Sequence, residues 1–574
     1  MDTKENEKQL TGYPSIDKPW MKYYSEDAIN TPLPEGTIYE YLWENNKDYL
    51  NDVAVIYFGR KITYNELFEN IDKAARAFIG IGMKQGDVCT VISPSCVNSI
   101  VVFYALNKIG AISNYINIIE SEAGFKTYFL EAKSNYIVTV DLFLGKTLQA
   151  SEKIGVNKII TFSVSEYMPV MMKTGYKIKT KSFSKKVSCD KIIDWKDFMD
   201  RANSVKDINT FTDSDSISIW GHTGGTTGVP KTVLLTNKAY NTVAMQYMKS
   251  MTYRRGQVFL NIIVPFVVYG MLTCMHMPLC LGLTVAIVPK FEAGDWFQYL
   301  KKYRPAHISG IPSYFSPMLE DKKLESIDLS FIRTFAVGGD GLTERLELDI
   351  NKFLFDHGSQ AKLLKGYGMT EVCSSALTEF DNYSKIGSVG IPLFKNNIRI
   401  YDNEKKCECK YGETGEVLLS SYSLMVGYKD NEKETDKLIM TDSDGTKWVH
   451  TEDLGYVDED GFLFLLGRMK RFMFVGPEGL AYKVFPKEIE DVIMLSPEVA
   501  EVCVVSVNDG NGFLPKAYVV LKNKHTISTK IITRKLTEIC IQELPDYMRP
   551  YRYEYIAEMP KTAIGKIDYK ALEQ

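Results

Sequence analysis

The segment Trp220-Gly-His-Thr-Gly-Gly-Thr-Thr-Gly-Val-Pro-Lys231 gathers glycines, threonines and one lysine into a single short stretch. Glycines let successive backbone N–H groups turn toward an anion, threonine hydroxyls add donors, and the lysine adds charge. That is the chemistry of a polyphosphate cradle. A surface turn would account for the glycines but not for the clustering of threonines and lysine beside them. The segment is not a Walker loop, because Pro230 stands where G-K-[ST] requires glycine. The residues that follow, Thr232-Val-Leu-Leu235, read as a strand, whereas a Walker loop opens a helix.

Such a loop needs a rigid frame, and the surrounding pattern supplies an α/β one. Short apolar runs at Val88–Ile92, Tyr136–Val140, Lys158–Phe162 and Val285–Val288 alternate with helical patterns over Tyr64–Ile79, Asn98–Lys108 and Asn237–Tyr247. After about Ile386 the character changes. Gly387, Gly390, Gly412, Gly415, Gly427, Gly445, Gly455 and Gly461 punctuate short strands, which predicts a β-rich subdomain over about 387–468. A boundary is expected after Gly467-Arg468-Met469-Lys470, dividing an N-terminal domain (1–468) from a small α+β C-terminal domain (469–574). In the latter, Pro486–Leu495 reads as a helix, with strands at Val499–Val507 and Ala517–Leu521.

Composition narrows the function classes. A formal charge of -4 on 574 residues gives no bulk attraction to nucleic acid or anionic lipid. No basic run is interleaved with aromatics, so no nucleic-acid partner is expected, and Lys179, Lys181, Lys185 and Lys186 read as a solvated face. Ten cysteines are too dilute for a disulfide scaffold, and Cys407 and Cys409 lack the second pair that a zinc site needs. Reduced cysteines and a charged N-terminus point to a cytoplasmic protein. The stretch from Ile262 to Val288 has no formally charged residue, yet Pro265 and Pro278 interrupt it. It reads as a strand ending near Pro265, a buried helix to about Leu281 and a strand at Thr284–Val288, not as a transmembrane segment.

The glycine-threonine loop resembles the phosphate-binding signature of the adenylate-forming superfamily, which includes acyl-CoA synthetases. Other motifs follow in that family's order: Gly59-Arg-Lys-Ile-Thr-Tyr64, Gly338-Gly339-Asp340, Tyr367-Gly-Met-Thr-Glu371, Gly387-Ser-Val-Gly-Ile-Pro392 and Gly412-Glu-Thr-Gly-Glu416. Thr451-Glu-Asp453, Gly467-Arg468-Met-Lys470 and Pro560-Lys-Thr-Ala-Ile-Gly-Lys566 complete the set, so the resemblance spans about residues 35 to 570. It implies an ATP-dependent acid–thiol ligase that makes an acyl-adenylate and pyrophosphate, then an acyl thioester. By the same resemblance Thr223, Gly225, Thr226, Thr227, Gly228 and Lys231 hold the β- and γ-phosphates. Tyr367 stacks on adenine and Asp340 lies along the base edge. Thr370 contacts the α-phosphate, Glu371 ligates Mg²⁺, Asp453 accepts from the ribose hydroxyls, and Arg468 contacts ribose or α-phosphate. Lys566 is the expected catalytic cation of adenylation, and Lys470-Arg471 is the expected hinge about which the C-terminal domain rotates between half-reactions.

The chain also departs from the pattern. Arg471 stands where the hinge often has Asp, Glu452 where T-G-D has glycine, and Gly224 where serine is frequent. The loop between Lys470 and Pro486 is a few residues longer than usual, and Pro265-Phe-Val-Val268 has no histidine. Amino-acid-activating relatives place Asp after that phenylalanine, to pair the substrate ammonium. A buried ammonium with no counter-charge costs several kcal/mol, so Val267 points to an acid without an α-amine. The acyl pocket is expected to comprise Phe266, Val268, Tyr269, Gly339, Gly366 and Met369, apolar or small residues that suit a fatty or aryl acid. The thiol acceptor is coenzyme A or, alternatively, the phosphopantetheine of an acyl carrier protein. A luciferase-like oxygenase shares these motifs but nothing local demands it. A non-enzymatic nucleotide-binding protein would have no use for Lys231, Glu371, Asp453, Arg468 and Lys566 together.

Overall fold

The computed structural model describes residues 10–180, 190–208, 210–223, 231–380, 382–469, 471, 473–477, 482–508, 512–522, 528–561 and 567–573. Among these residues the strands form four sheets. Two are large and mostly parallel, as the alternation of apolar runs and helices requires. The first runs in the order Ile391–Pro392, Leu377–Thr378, Leu363–Tyr367, Thr334–Val337, His307–Gly310, Val258–Asn261, Thr284–Ile287, Val53–Tyr57, Arg60–Thr63. The second runs Gly427–Tyr428, Thr232–Thr236, Ile217–His222, Ile112–Tyr115, Val88–Ile92, Tyr136–Val140, Lys158–Phe162, Ile192–Asp194. Helices Tyr64–Gly80 and Val97–Lys108 pack on each other; the latter is buried on every side, as its lack of a polar face dictates.

The stretch between Asn397 and Arg468 forms an antiparallel sheet of its own, built on the long strand Lys447–Val457. Two short strands from the same glycine-rich region leave it. Ile391–Pro392 extends the first large sheet, and Gly427–Tyr428 pairs with Thr232–Thr236 at the edge of the second. The fourth sheet lies in the C-terminal domain, where Val499–Asn508 pairs with Gly512–Leu521. That second strand starts earlier than its apolar run, because the register with Val499–Asn508 continues through Pro515.

Hydrophobic burial divides the same way. One continuous core reaches from Trp20 to Leu463, with Trp20 and Trp296 fully buried in it. A separate core runs from Met473 to Met548 around the helices Pro486–Ile493 and Thr529–Glu543. The fold is therefore a large α/β N-terminal domain carrying a β-rich part, followed by a small α+β C-terminal domain. Among the described residues every cysteine is a free thiol, and no described helix is long and apolar enough to cross a membrane.

The uncharged stretch at 262–288 is interior. Its strand ends at Asn261, short of Pro265, and the helix that follows is not uniform. Val268–Met271 and Met277–Cys280 are α-helical, and Leu272–His276 between them is a π-helical turn. Such insertions are frequent at functional sites, because they re-aim side chains on one face.

Candidate active site

The strands Ile217–His222 and Thr232–Thr236 form an antiparallel hairpin whose connection is the glycine-threonine loop. Its two ends are pinned together. Thr223 N–H donates to Lys231 O at 3.1 Å, and Lys231 N–H donates to Thr223 Oγ1 at 3.1 Å. Gly225, Thr226, Thr227 and Gly228 lie outside the described residues. Lys231 Nζ projects 4.6 Å from the ring centroid of Tyr428 and pairs with Glu434 Oε2 at 2.9 Å. Lys437 and then Lys231 hold the Glu434 carboxyl down to about 2.

The strand Leu363–Tyr367 ends at a bend that only glycine permits. A Cβ at Gly368 would lie 2.1 Å from Ser374 O. The single turn Thr370–Val372 follows, and Cys373 and Ser374 then take left-handed backbone angles, φ 60° and 85°. Each costs a non-glycine residue about 1–3 kcal/mol, a form of strain that collects at functional sites. Bonds from Ser374 N–H to Met369 O (3.0 Å) and from Ala376 N–H to Tyr367 O (2.9 Å) hold the bend closed.

This geometry sets two side chains. Tyr367 Oη donates to Asp453 Oδ2 at 2.6 Å, and Arg468 Nε donates to Asp453 Oδ1 at 2.9 Å. Asp453 and Arg468 are register partners on adjacent antiparallel strands, so the chain Tyr367–Asp453–Arg468 spans two sheets. Burial, then the Asp453 carboxylate, raises the Tyr367 hydroxyl well above its ordinary value, so it stays a donor. Burial works against the Arg468 charge, but Asp453, Tyr367 and Glu452 together raise it above the usual range. Glu371 is buried, and its Oε1 accepts from Tyr428 Oη at 2.6 Å. Tyr428 reaches it because Gly427–Tyr428 pairs with Leu234 and Val233, while Met425 N–H donates to Glu371 O at 2.8 Å. Burial, then Glu371, pushes the Tyr428 hydroxyl far up, so it too remains a donor.

Glu452, between Thr451 and Asp453, has φ 59°. The left-handed conformation that suits glycine is thus kept where glutamate has replaced it. Its N–H donates to Glu416 Oε1 at 3.1 Å, and its carbonyl accepts from Met469 N–H at 2.7 Å.

Behind the bend lies a buried ionic cluster. Lys365 pairs with Glu347 and, at 3.3 Å, with Glu379. The two Glu379 oxygens accept backbone N–H bonds from Lys365 (3.1 Å) and Lys385 (3.0 Å). Burial nevertheless pushes the Glu379 carboxyl up to about 7.

One cleft of about 2010 Å³ joins these groups to an apolar recess. Every described candidate lines it: Thr223, Lys231, Asp340, Tyr367, Thr370, Glu371, Asp453 and Arg468, together with Phe266, Val268, Tyr269, Gly339, Gly366 and Met369. Tyr269 is fixed by Ser309 Oγ (2.6 Å) and Gly310 O (3.2 Å). A Cβ on Gly221 would sit 2.8 Å from Val268 Cγ2 and 2.9 Å from Thr370 Cγ2, so this glycine lets the apolar and phosphate sides meet. Thr273, in the π-turn, also lines the cleft, and its buried hydroxyl has no partner among the described residues. His276, one turn below, lies between Tyr104 Oη (2.9 Å) and Asn241 Oδ1 (3.1 Å); burial pushes it down to about 3, which keeps it neutral.

The C-terminal domain closes the cleft's other side through Arg471, Glu490, Lys561 and Tyr569. Lys470 and Lys566 lie outside the described residues. Arg471 is anchored in that domain: its guanidinium meets Glu490 Oε1 at 2.5 Å and lies 5.2 Å from the Tyr569 ring centroid. Tyr428, Glu434, Thr273 and Glu490 were not among the residues expected from motifs. Met425-Val-Gly-Tyr428 carries no motif, and the strand pairing of Gly427–Tyr428 with the Met425 N–H bond brings it to Glu371.

Comparisons with known proteins identify the family of the chain. The model of the family "AMP-binding enzyme" matches residues 42–429, and that of the "AMP-binding enzyme C-terminal domain" matches 488–566. A long-chain-fatty-acid–CoA ligase of Bacillus subtilis (strain 168) is 28% identical over 560 residues, covering 96% of each chain. A probable 4-coumarate–CoA ligase of Dictyostelium discoideum is 26% identical over 566 residues, 96% of this chain and 97% of that one. The crystal structure of an anthranilate CoA ligase in complex with anthranoyl-AMP superposes with a TM-score of 0.81 at 21% identity, over 95% of this chain and 98% of the other. The chain belongs to the AMP-binding enzyme family, within the adenylate-forming superfamily that its motifs resemble.

Proposed function

We propose that this chain is an AMP-forming acid–thiol ligase whose acid is fatty or aromatic and whose thiol is that of coenzyme A. The carrying observation is that Lys231, Glu371 and the chain Tyr367–Asp453–Arg468 share one cleft with an apolar recess lined by Phe266, Val267, Val268, Tyr269 and Met369. A carboxylate oxygen of the acid attacks the α-phosphorus of ATP, pyrophosphate leaves, and the acyl-adenylate remains. The thiolate sulfur then attacks its carbonyl carbon, forming the thioester as AMP departs. That relatives of nearly the same length are named CoA ligases favours free coenzyme A over a carrier protein.

The residue roles are part of the same proposal. Thr223 and Lys231, with Gly225, Thr226, Thr227 and Gly228, hold the β- and γ-phosphates. Tyr367 packs on adenine with Asp340 at the base edge, Asp453 and Arg468 take the ribose, and Thr370 takes the α-phosphate. A buried carboxylate with one oxygen already committed to Tyr428 suits Mg²⁺, which takes one or two carboxylates and completes its shell with phosphate oxygens and water. When bound there, the ion neutralises phosphate charge. Lys566 supplies the cation at the reacting oxygens. The two separate cores support a domain boundary at 468/469, with Lys470-Arg471 as the hinge. A cytoplasmic location fits the free thiols.

The test is pyrophosphate release with ATP and Mg²⁺ over fatty, aryl and amino acids, with and without coenzyme A. Coenzyme A-stimulated turnover on one acid class, lost in Lys566→Ala, is the expected result. A trapped acyl-AMP that coenzyme A cannot discharge would transfer the acceptor to a carrier protein, and no release with any acid would refute the proposal.

A further inference from the structure

Ala336 stands in the first large sheet between the buried Phe335 and Val337, yet it is only half-buried itself. A mostly parallel sheet is ordinarily covered on both faces by the next layer. Here the cleft reaches the strand. It also touches both ends of the neighbouring strands: Gly338 and Gly366 where they finish, Phe259 and Thr334 where they begin.

Register puts these residues on one face. Thr334 pairs with His307 and His307 with Phe259; two residues on, Ala336 pairs with Ser309 and Leu364. Side chains two apart on a strand share a face, so Thr334 lines up with Ala336, and Leu364 with Gly366. The floor thus falls in size from threonine through alanine to the glycines. A Cβ on Gly338 would lie 3.3 Å from Gly366 O and 3.8 Å from Tyr269 Cζ, so glycine keeps that end wide. The facing wall is Tyr247, Tyr269, Thr273 and Met277. At the far end Tyr253 Oη donates to Met251 Sδ at 2.9 Å, and the Tyr253 ring stands edge-on to His307 with centroids 4.9 Å apart. Met251 and Tyr253 line the cleft too, and both are half-buried.

We propose, resting on the ligase reading above, that the acid is an unbranched fatty acid. Its alkyl chain lies along this face from Gly338 to Thr334, and Met251 and Tyr253 form the stop that sets its length. Four residues of strand span about 13 Å at about 3.3 Å each. A zigzag of about 1.5 Å bonds advances roughly 1.3 Å per carbon, so about ten carbons run the distance. A single aryl ring would fill only the end near Gly338 and Ala336. Thr334, Phe259 and Met277 would then face a void, and atoms lining a void lose their packing partners. The hydroxyls of Tyr247 and Tyr269 are engaged by Ser375 Oγ (2.8 Å) and Ser309 Oγ (2.6 Å), which leaves their rings for a hydrocarbon to pack on.

The test is pyrophosphate release by the full chain with ATP, Mg²⁺ and coenzyme A over saturated acids from butanoate to octadecanoate, beside benzoate and cinnamate. kcat/KM is expected to rise about threefold to fourfold per added methylene, the factor for burying one CH₂, until about dodecanoate, and then to level or fall. Ala336→Phe should block the face midway, moving the optimum to hexanoate or shorter and lowering dodecanoate at least about hundredfold. Turnover of butanoate by this variant shows that it is folded. Met251→Ala, at the partly exposed end, should move the optimum toward octadecanoate, and decides alone if Ala336→Phe turns over nothing. An aryl acid preferred over every linear one, a flat chain-length profile, equal losses across the series in Ala336→Phe, or an optimum that Met251→Ala leaves in place overturns the proposal while the ligase reading stands. No release with any acid removes both.

Discussion

Tyr428→Phe removes one oxygen and leaves the ring in place beneath Lys231. The lost bond is the 2.6 Å donation to Glu371 Oε1, in a carboxylate that is only 6% exposed. A hydrogen bond to a charged group contributes about 1.5–3 kcal/mol, and a buried acceptor left unpaired forfeits most of it. The free enzyme should therefore lose about 2 kcal/mol of stability. The functional effect is separate. If Glu371 holds Mg²⁺, Tyr428 is the group that orients it, and removing such an outer partner lowers metal affinity or activity by about 10- to 100-fold. Pyrophosphate release measured across a Mg²⁺ titration should shift its midpoint upward by that factor, while the cation–π contact to Lys231 keeps the affinity for ATP nearly level. Denaturant unfolding supplies the stability arm. An unchanged Mg²⁺ midpoint with unchanged stability would refute the reasoning, since the hydroxyl would then be doing nothing for Glu371. A stability loss with an unchanged midpoint would remove Glu371 from the metal and leave it a structural acceptor.

Further tests concern the frame around the site. Burial raises the Glu379 carboxyl from 4.5 to about 7, so its contribution is fully present below 4.5 and is lost as pH rises through about 7. At 1.36 kcal/mol per pH unit this amounts to about 3 kcal/mol, with the opposing pull of Lys365 already counted. Glu379→Gln should be less stable at pH 5, because its amide must face one of two backbone N–H donors, yet should flatten the fall in stability between pH 5 and 8. An unchanged slope in urea unfolding would exonerate Glu379. Arg471→Met should cost about 3 kcal/mol by stranding Glu490, and adding Glu490→Gln should recover part of it; strict additivity in the double-mutant cycle would mean the 2.5 Å pair contributes nothing. Thr273→Val removes a buried hydroxyl that has no described partner, so it should stabilise by about 1 kcal/mol and favour wholly apolar acids in the substrate panel. A loss of stability would show that the hydroxyl is bonded in solution.

Several of the site's parts were readable as composition. Glycine, threonine and lysine in one loop announce an anion cradle, because those types alone combine a turning backbone, donors and charge. The α/β frame followed from alternating apolar periodicities, and the uncharged stretch at 262–288 could be recognised as interior from its prolines. The π-turn inside that stretch was not readable, and neither were the partners of its last residue, His276, which meets Tyr104 and Asn241 from distant parts of the chain.

Motif order determined which residues should gather, but tertiary structure decided how each is held. Tyr428 sits 57 residues from Glu371 and Glu434 203 residues from Lys231, and no local spacing connects either pair. Their meeting depends on a two-residue strand crossing to the edge of another sheet. Whether a lysine pairs with a phosphate, a carboxylate or water, and whether an apolar helix turns inward or out, is settled by what the rest of the chain leaves uncovered. Local sequence specifies donors, acceptors and backbone freedom, because these are properties of a residue and its neighbours. Partner choice and burial are properties of the closed fold, and only the closed fold reveals them.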